Sequence, residues 1–258
     1  MNSNFEDREL SEFQLRNIKI LTHLLKHDAV SDDIIDCLHQ SELDYFSLID
    51  KYDILQQKVN IDEKTNLLKF KKDYLTQIIK TASRIYYGMN AFQYHITLAR
   101  FDIDDFSIFN NRYGHDLGDE VLVRIADLLH TSSRPTDYAI RFGGEEFDVI
   151  LPSTDIEGAR LYMEKIYEKV RNLRIFHQGK TLKVTLSAGL SSFLYRFDKK
   201  KIIQDSEIQD YFKTLQSEAD NALYEAKYLG KDRYCIYSKE REEEYRKIRK
   251  QYTQKKTA

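Results

Sequence analysis

Within Arg141-Phe142-Gly143-Gly144-Glu145-Glu146-Phe147 two carboxylates sit side by side at a double glycine, between segments that read as strands. Gly-Gly is a common two-residue hairpin connection because a positive φ costs glycine nothing, and on that reading Glu145 and Glu146 are solvated shoulders of a turn. Adjacent carboxylates also repel each other unless a cation lies beside them, which makes the pair a candidate metal site. Further acid groups decide between the two. They come at 95–104, HITLARFDID, which alternates as a buried strand and then ends on Asp102 and Asp104, as a strand does when its carboxyl end reaches a site. Asp102 with Glu145 and Glu146 would form an oxygen-only ligand set of the kind that suits magnesium. Two such ions about 3.5–4 Å apart lower the pKa of an attacking hydroxyl and neutralise a displaced phosphate, which is the chemistry of nucleotidyl transfer.

For those acids to meet, residues 61–238 must fold as one α/β domain, and the chain's patterning agrees. Strand-like and helix-like segments alternate there, and all nine glycines and both prolines fall between 62 and 237. After HITLARFDID, residues 119–130 put Leu122, Ile125, Leu128 and Leu129 on one helical face; YAIRF and FDVIL then flank the glycines as a hairpin. A helix at 155–173, a strand in TLKVTLSAGLSS, one or two helices in SEIQDYFKTLQSEADNALYEAKYL and a short strand DRYCIYS complete the order. Such an order can set the end of the first strand beside the hairpin in one mainly antiparallel sheet.

Residues 1–60 carry apolar positions at helical spacing, with Ser31 placed as an N-cap, and read as a helical regulatory or dimerising segment. DYFSLIDKYDILQQKVN has spacing compatible with a short coiled coil leading into the next domain. Residues 239–258 pair Glu242 with Arg246 and Glu243 with Lys247, as expected of a charged helical tail exposed to solvent. The 258 residues are 41% hydrophobic and 32% charged with a net charge of −2, an ordinary soluble surface that calls for neither a nucleic-acid polymer nor an acidic membrane. Cys37 and Cys235 have no metal-ligand spacing and read as free thiols. A polar start, and no apolar run near the ~18 residues of a membrane span, point to the cytoplasm.

The segment from Asp62 to Ser238 resembles the GGDEF domain of diguanylate cyclases, which join two GTP molecules into cyclic di-GMP. FDIDDFSIFNNRYGHDLGDEVL, RFGGEEFDVILP, VTLSAGLSS and ADNALYEAKYLGKDR carry the resemblance, with GGEEF an active-type variant of the signature. The resemblance implies a palm-like α+β fold related to polymerase and adenylyl cyclase catalytic domains, in which each monomer binds one GTP and two monomers meet as a homodimer. It implies that Asp102, the Ile103 carbonyl and Glu145 ligate magnesium or manganese, with Glu146 adjacent, and that Glu145 helps deprotonate the 3′-hydroxyl. Asn110 and Asp119 match the residues that read guanine, whose acceptors and donors an amide and a carboxylate complement. His115 lies in the same loop. Lys227 and Lys231, four apart on the last helix, match the triphosphate-binding pair.

Arg134-Pro135-Thr136-Asp137 has the RxxD spacing of the family's inhibitory product site, where arginine stacks on guanine and aspartate accepts from its Watson–Crick edge. The chain departs from the family in four places. The opening motif DxLTGLxNRR reads DEKTNLLKFK at 62–71, with Asn66, Lys69 and Phe70 for the glycine, asparagine and first arginine. Ser107 replaces a common phosphate-contacting lysine. Asp148 takes a strand position that is usually small or apolar and shares a face with Glu146, as an edge position or an additional outer ligand. Residues 197–207 read as a surface insertion. These departures leave an alternative, a weakened domain that binds GTP or cyclic di-GMP without turnover, while Asn110 and Asp119 argue against a cyclase using ATP.

Overall fold

The structure, a computed structural model, describes residues 12–26, 31, 33–41, 43–45, 47, 60–85, 91–198 and 204–257. The chain divides into two compact units, Met1–Val59 and Asn60–Ala258. In the first, helix α1 spans Glu12–Lys26 and a second helix, α2, includes residues 33–41. The Ser31 carbonyl accepts the Ile34 and Ile35 N–H groups at 3.0 and 3.2 Å, as the residue before a helix should. Most of the expected coiled-coil segment, 48–59, lies outside the described residues.

The second unit is built on one six-stranded sheet in the order β1-β3-β4-β2-β7-β8. Its strands are β1 (Leu68–Lys69), β2 (Ala91–Ile103), β3 (Tyr138–Gly143), β4 (Glu146–Pro152), β7 (Leu186–Asp198) and β8 (Arg233–Ile236). The β3-β4-β2-β7 centre is antiparallel, as expected, whereas the edge pairs β1-β3 and β7-β8 are parallel. A separate hairpin pairs β5 (Ile175–His177) with β6 (Lys180–Leu182). Helices α3 (Tyr74–Ile85), α4 (Phe106–Tyr113), α5 (His115–Ser132), α6 (Ile156–Asn172), α7 (Asp205–Tyr228) and α8 (Glu242–Thr257) complete the unit.

Period-two alternation divides the core between the two sheet faces. On one, Ala99, Phe101 and Ile103 of β2 pack with Phe147 and Val149 of β4 beneath α5 and α6. On the other, Ile96, Leu98 and Ile150 pack with Leu75 and Ile79 of α3 and Leu215 and Ala219 of α7. Farther along this second face β2 carries Arg100 and then Asp102, so an apolar floor turns charged at the strand's carboxyl end. Gly189 of β7 pairs with Arg100 and lets α7 approach: a Cβ there would lie 2.0 Å from the Ala219 carbonyl oxygen.

Asp148 is not an edge position. It lies on β4 between β2 and β3, is 1% exposed, and makes a two-point ion pair with its cross-strand partner Arg100, both contacts 2.8 Å. The guanidinium also stacks on Phe142, 4.0 Å from the ring centroid, and Phe142 meets Phe70 edge-on at 4.9 Å. Pairing and a planar aromatic lid satisfy charges whose burial alone would be strongly unfavourable.

The tail is helical but not wholly solvated. Tyr245 of α8 is buried, stacks on Tyr237 at 5.3 Å, and its hydroxyl accepts the Ser238 N–H at 3.0 Å. Arg241, in the 3-10 turn just before α8, and Arg249 on α8 pair with Glu225 and Asp220 of α7, so one face of α8 is docked. Of the expected insertion, Phe197 and Asp198 end β7 and Asp205–Glu207 open α7 beneath a Gln204 capping box; 199–203 lie outside the described residues. Both cysteines are free thiols. Among the described residues no helix is long and apolar enough to cross a membrane.

Candidate active site

The sheet register delivers the acids to one place. Asp102 and Glu146 are direct partners across β2 and β4, and the Glu145 carbonyl accepts the Ile103 N–H at 3.3 Å. The connection itself differs from a Gly-Gly loop. Phe142 is bulged out, Gly143 pairs with Glu146, and the turn is made by Gly144, at φ +54°, and Glu145. The bulge aims Phe142 at Arg100 and leaves Glu145 at the tip. Arg141 locks the turn by donating Nε and Nη2 to the Gly144 carbonyl at 3.2 and 3.0 Å, and its Nη1 reaches Asp62 at 2.9 Å.

A cavity of about 110 Å³ is lined by Asp102, Ile103, Asp105, Glu145, Lys227 and Lys231, with Ser107 also on its wall. Lys227 Nζ lies 2.7 Å from Asp102 Oδ2, and Lys231 Nζ lies 2.5 Å from Asp105 Oδ1. Only Lys227 is on a helix. Gly230, at φ +107°, ends α7; the Lys231 N–H reaches back to the Ala226 carbonyl at 3.0 Å, and Lys231 itself is left-handed at φ +63°. Asp104 is an anchor for this loop, accepting from Thr185 Oγ1 at 2.7 Å, Ser187 Oγ at 2.6 Å and the Asp232 N–H at 3.1 Å.

Burial holds the Asp102 carboxyl above the ordinary aspartate range; Lys227 opposes that rise, and Glu145 and Asp104 add to it. Glu146 is likewise held high, first by burial and then by Asp102, against the pull of Arg100 and Lys227. Burial is the main cause in both, and a divalent cation beside the facing carboxylates would offset it. No three His, Cys, Asp or Glu side chains among the described residues converge on one point to hold a metal ion. A cation here would therefore take two carboxylates, a carbonyl and oxygens from a bound phosphate, the arrangement magnesium commonly adopts.

Asn110, near the end of α4, and Asp119, on α5, do not line this cavity; Asn110 packs against Gly118, the residue before Asp119. The Asn110 carboxamide rests on bare Gly118, where a Cβ would lie 1.8 Å from Oδ1, and that oxygen is buried without a hydrogen-bond partner. Asp119 Oδ1 accepts from Lys64 Nζ at 2.6 Å. His115 is exposed at the first residue of α5.

Arg134 and Asp137 close a turn between α5 and β3. The Arg134 N–H donates to Asp137 Oδ2 at 2.7 Å and the Asp137 N–H to the Arg134 carbonyl at 2.9 Å. Both residues line two cavities, of about 480 and 280 Å³, the smaller also walled by Tyr162 and Lys165. Asp137 Oδ1 is buried without a hydrogen-bond partner, and burial raises its carboxyl pKa.

Sequence reasoning missed Lys64, Arg100 and Arg141. A cation interrupting the apolar alternation two residues before Asp102 was the signal for Arg100. Lys64 and Arg141 gave none, since their partners, Asp119 and Asp62, are 55 and 79 residues away.

A mixed sheet with helices on both faces and acids at adjoining strand ends defines a palm-like α+β domain. The family model for the diguanylate cyclase GGDEF domain matches residues 59–233, and the chain belongs to that family. Diguanylate cyclase A of Treponema denticola is 37% identical over 141 residues, which are 55% of this chain and 35% of that protein. A diguanylate cyclase of Vibrio cholerae is 29% identical over 226 residues, 86% of this chain and 63% of the relative. The chain thus spans about a third of the first relative's length and under two thirds of the second's. Among solved structures, the coiled coil and GGDEF domain of DgcB from Caulobacter crescentus in complex with c-di-GMP has a TM-score of 0.62 at 23% identity, covering 80% of this chain and 100% of that one.

Proposed function

We propose that the chain condenses two GTP into cyclic di-GMP with release of pyrophosphate. The observation that carries this reading is the Asp102–Glu146 cross-strand pair, with Glu145, Lys227 and Lys231 gathered beside it. Family membership and relatives named as diguanylate cyclases support it. Asp102, Glu145 and the Ile103 carbonyl would hold magnesium or manganese, with Glu146 adjacent. Such an ion, when bound, supplies charge neutralisation at phosphate and acidifies the attacking 3′-hydroxyl. Lys227 and Lys231 bind the triphosphate, exchanging carboxylate partners for phosphate oxygens. Glu145, on the turn tip, takes the hydroxyl proton. Asn110 and Asp119 read guanine beside His115, and the orphaned Asn110 oxygen and the carboxylate offer acceptors for its N–H groups.

One chain supplies one nucleotide site, so condensation needs a second copy facing it. Residues 1–60 hold two chains together and raise the effective concentration of paired sites. Product returns to Arg134 and Asp137, where the unpartnered Asp137 oxygen accepts from a guanine edge, and lowers turnover.

Purified chain given GTP and magnesium should accumulate cyclic di-GMP, and Glu145→Gln should stop this with an unchanged melting temperature. GTP binding without product would assign the chain to the binding-module alternative. Added cyclic di-GMP should inhibit the native chain but not Arg134→Ala; equal inhibition would remove the product site from the account.

A further inference from the structure

Lys64 belongs to the turn at 62–66 near the start of the second unit, and hydrogen bonds to Asp62 hold this turn. The Asp62 carboxylate accepts the Thr65 N–H at 2.9 Å, Thr65 Oγ1 at 2.7 Å and Arg141 Nη1 at 2.9 Å. Asn66 takes the left-handed conformation at φ +57°, which asparagine tolerates better than most residues. So fixed, the turn carries Lys64 to Asp119, Nζ to Oδ1 at 2.6 Å. The two side chains are 41% and 45% exposed, and an ion pair so wet adds little to stability. Its location is more informative. Asp119 follows Gly118, on which the Asn110 carboxamide rests, so the Lys64–Asp119 pair lies one residue from the Asn110 contact at the proposed base site. Lys64 also stands at the first leucine of the DxLTGLxNRR motif, so this chain has put a cation where the family pattern has an apolar side chain.

We propose that Lys64 is a specificity-determining residue of the base site, holding Asp119 in its acceptor orientation and donating to O6 of guanine. This rests on Asn110 and Asp119 being the guanine readers. Guanine presents on one edge an O6 acceptor followed by N1–H and N2–H donors. The carboxylate takes the two donors. Its Oδ1 has a second lone pair and keeps Lys64 while accepting a base N–H, and the ammonium has further protons for O6. Adenine offers an amino group where O6 would be, so the ammonium meets a donor and the carboxylate meets the N1 acceptor. Lys64 therefore adds discrimination against adenine as well as affinity for guanine, because a site built to hydrogen-bond one base leaves its polar groups unpaired with the other.

The test is equilibrium binding of non-hydrolysable GTP and ATP analogues to the full chain and to Lys64→Leu, Lys64→Arg and Asp119→Asn, with melting temperatures as a check on folding. Lys64→Leu should weaken the GTP analogue roughly tenfold without weakening the ATP analogue, so that the preference falls by at least that factor. Lys64→Arg should restore it. Asp119→Asn should lose most of the GTP preference. If Asp119→Asn loses it but Lys64→Leu shifts both nucleotides equally or neither, Lys64 has no part in base choice and the guanine site stands. If Asp119→Asn binds the GTP analogue as the native chain does, the base-site reading falls and takes this inference with it.

Discussion

Replacing Gly189 by alanine probes how α7 is held over the sheet and therefore how Lys227 reaches Asp102. The added Cβ would lie 2.0 Å from the Ala219 carbonyl oxygen, 2.3 Å from Leu223 N and 2.9 Å from the Ala222 carbonyl carbon, all helix backbone. No side-chain rotation relieves backbone contacts. The helix must withdraw by roughly 1.4 Å to regain ordinary van der Waals separation. Lifting it parts Leu215, Ala219 and Phe212 from the floor of Ile96 and Leu98, so overpacking at one point opens gaps at others. Overpacking of this kind costs about 1–3 kcal/mol, and with an immovable backbone the upper end applies. In a unit of this size that lowers the melting temperature by roughly 6–12 °C. Lys227 lies about two turns beyond Ala219, and a shift of about 1 Å there should reduce GTP turnover ~100-fold. Thermal unfolding and a cyclic di-GMP assay read the two effects. Gly143→Ala, whose Cβ would meet nothing within 4 Å, should melt within about 0.5 kcal/mol of the native chain. A Gly189→Ala protein that melts normally and turns over GTP at the native rate would refute the close-approach argument.

Removing one member of the Arg100–Asp148 pair, by Arg100→Leu or Asp148→Asn, should cost about 3–5 kcal/mol in urea unfolding, because the other charge stays buried. The Arg100→Leu/Asp148→Leu double variant should recover most of that, and simple addition of the losses would contradict the pairing. Acid stability should depend on Asp62. Its partial burial would raise the carboxyl pKa, but hydrogen bonds from Arg141 and Thr65 outweigh burial and hold it below 3.8. A carboxyl more acidic folded than unfolded contributes stability above its unfolded pKa that disappears as pH falls through the folded value. The native melting temperature should therefore fall more steeply than that of Asp62→Asn below about pH 4, and parallel curves would sink the assignment.

The acids' meeting was legible because two independent patterns agreed on it: alternation ending on Asp102, and a glycine turn ahead of Glu146. What sequence did not reveal depends on register or distant packing. The hairpin turns one residue later than Gly143-Gly144 because Phe142 leaves the ladder to cover Arg100, and no local rule encodes that bulge. Asp148 reads as misplaced until β2 and β4 align it opposite Arg100; propensity and periodicity cannot supply that register. Lys231 has the i+4 spacing of a helical partner, but Gly230 stops the helix first, a signal present in the sequence and outweighed there by the spacing. Tyr245 sits in a run of charges, and only the presence of α7 shows which face of that helix is dry.

The central claim, that Asp102 and Glu145 serve one divalent ion beside a nucleotide's phosphates, is tested most directly by manganese binding. Titration in the presence of a non-hydrolysable GTP analogue would compare the native chain with Asp102→Asn, Glu145→Gln and the double variant. Groups sharing an ion are non-additive, so each single change should lose most of the affinity and the double little more. Independent, additive losses, or native affinity in either single variant, would mean that the two carboxylates do not share a cation.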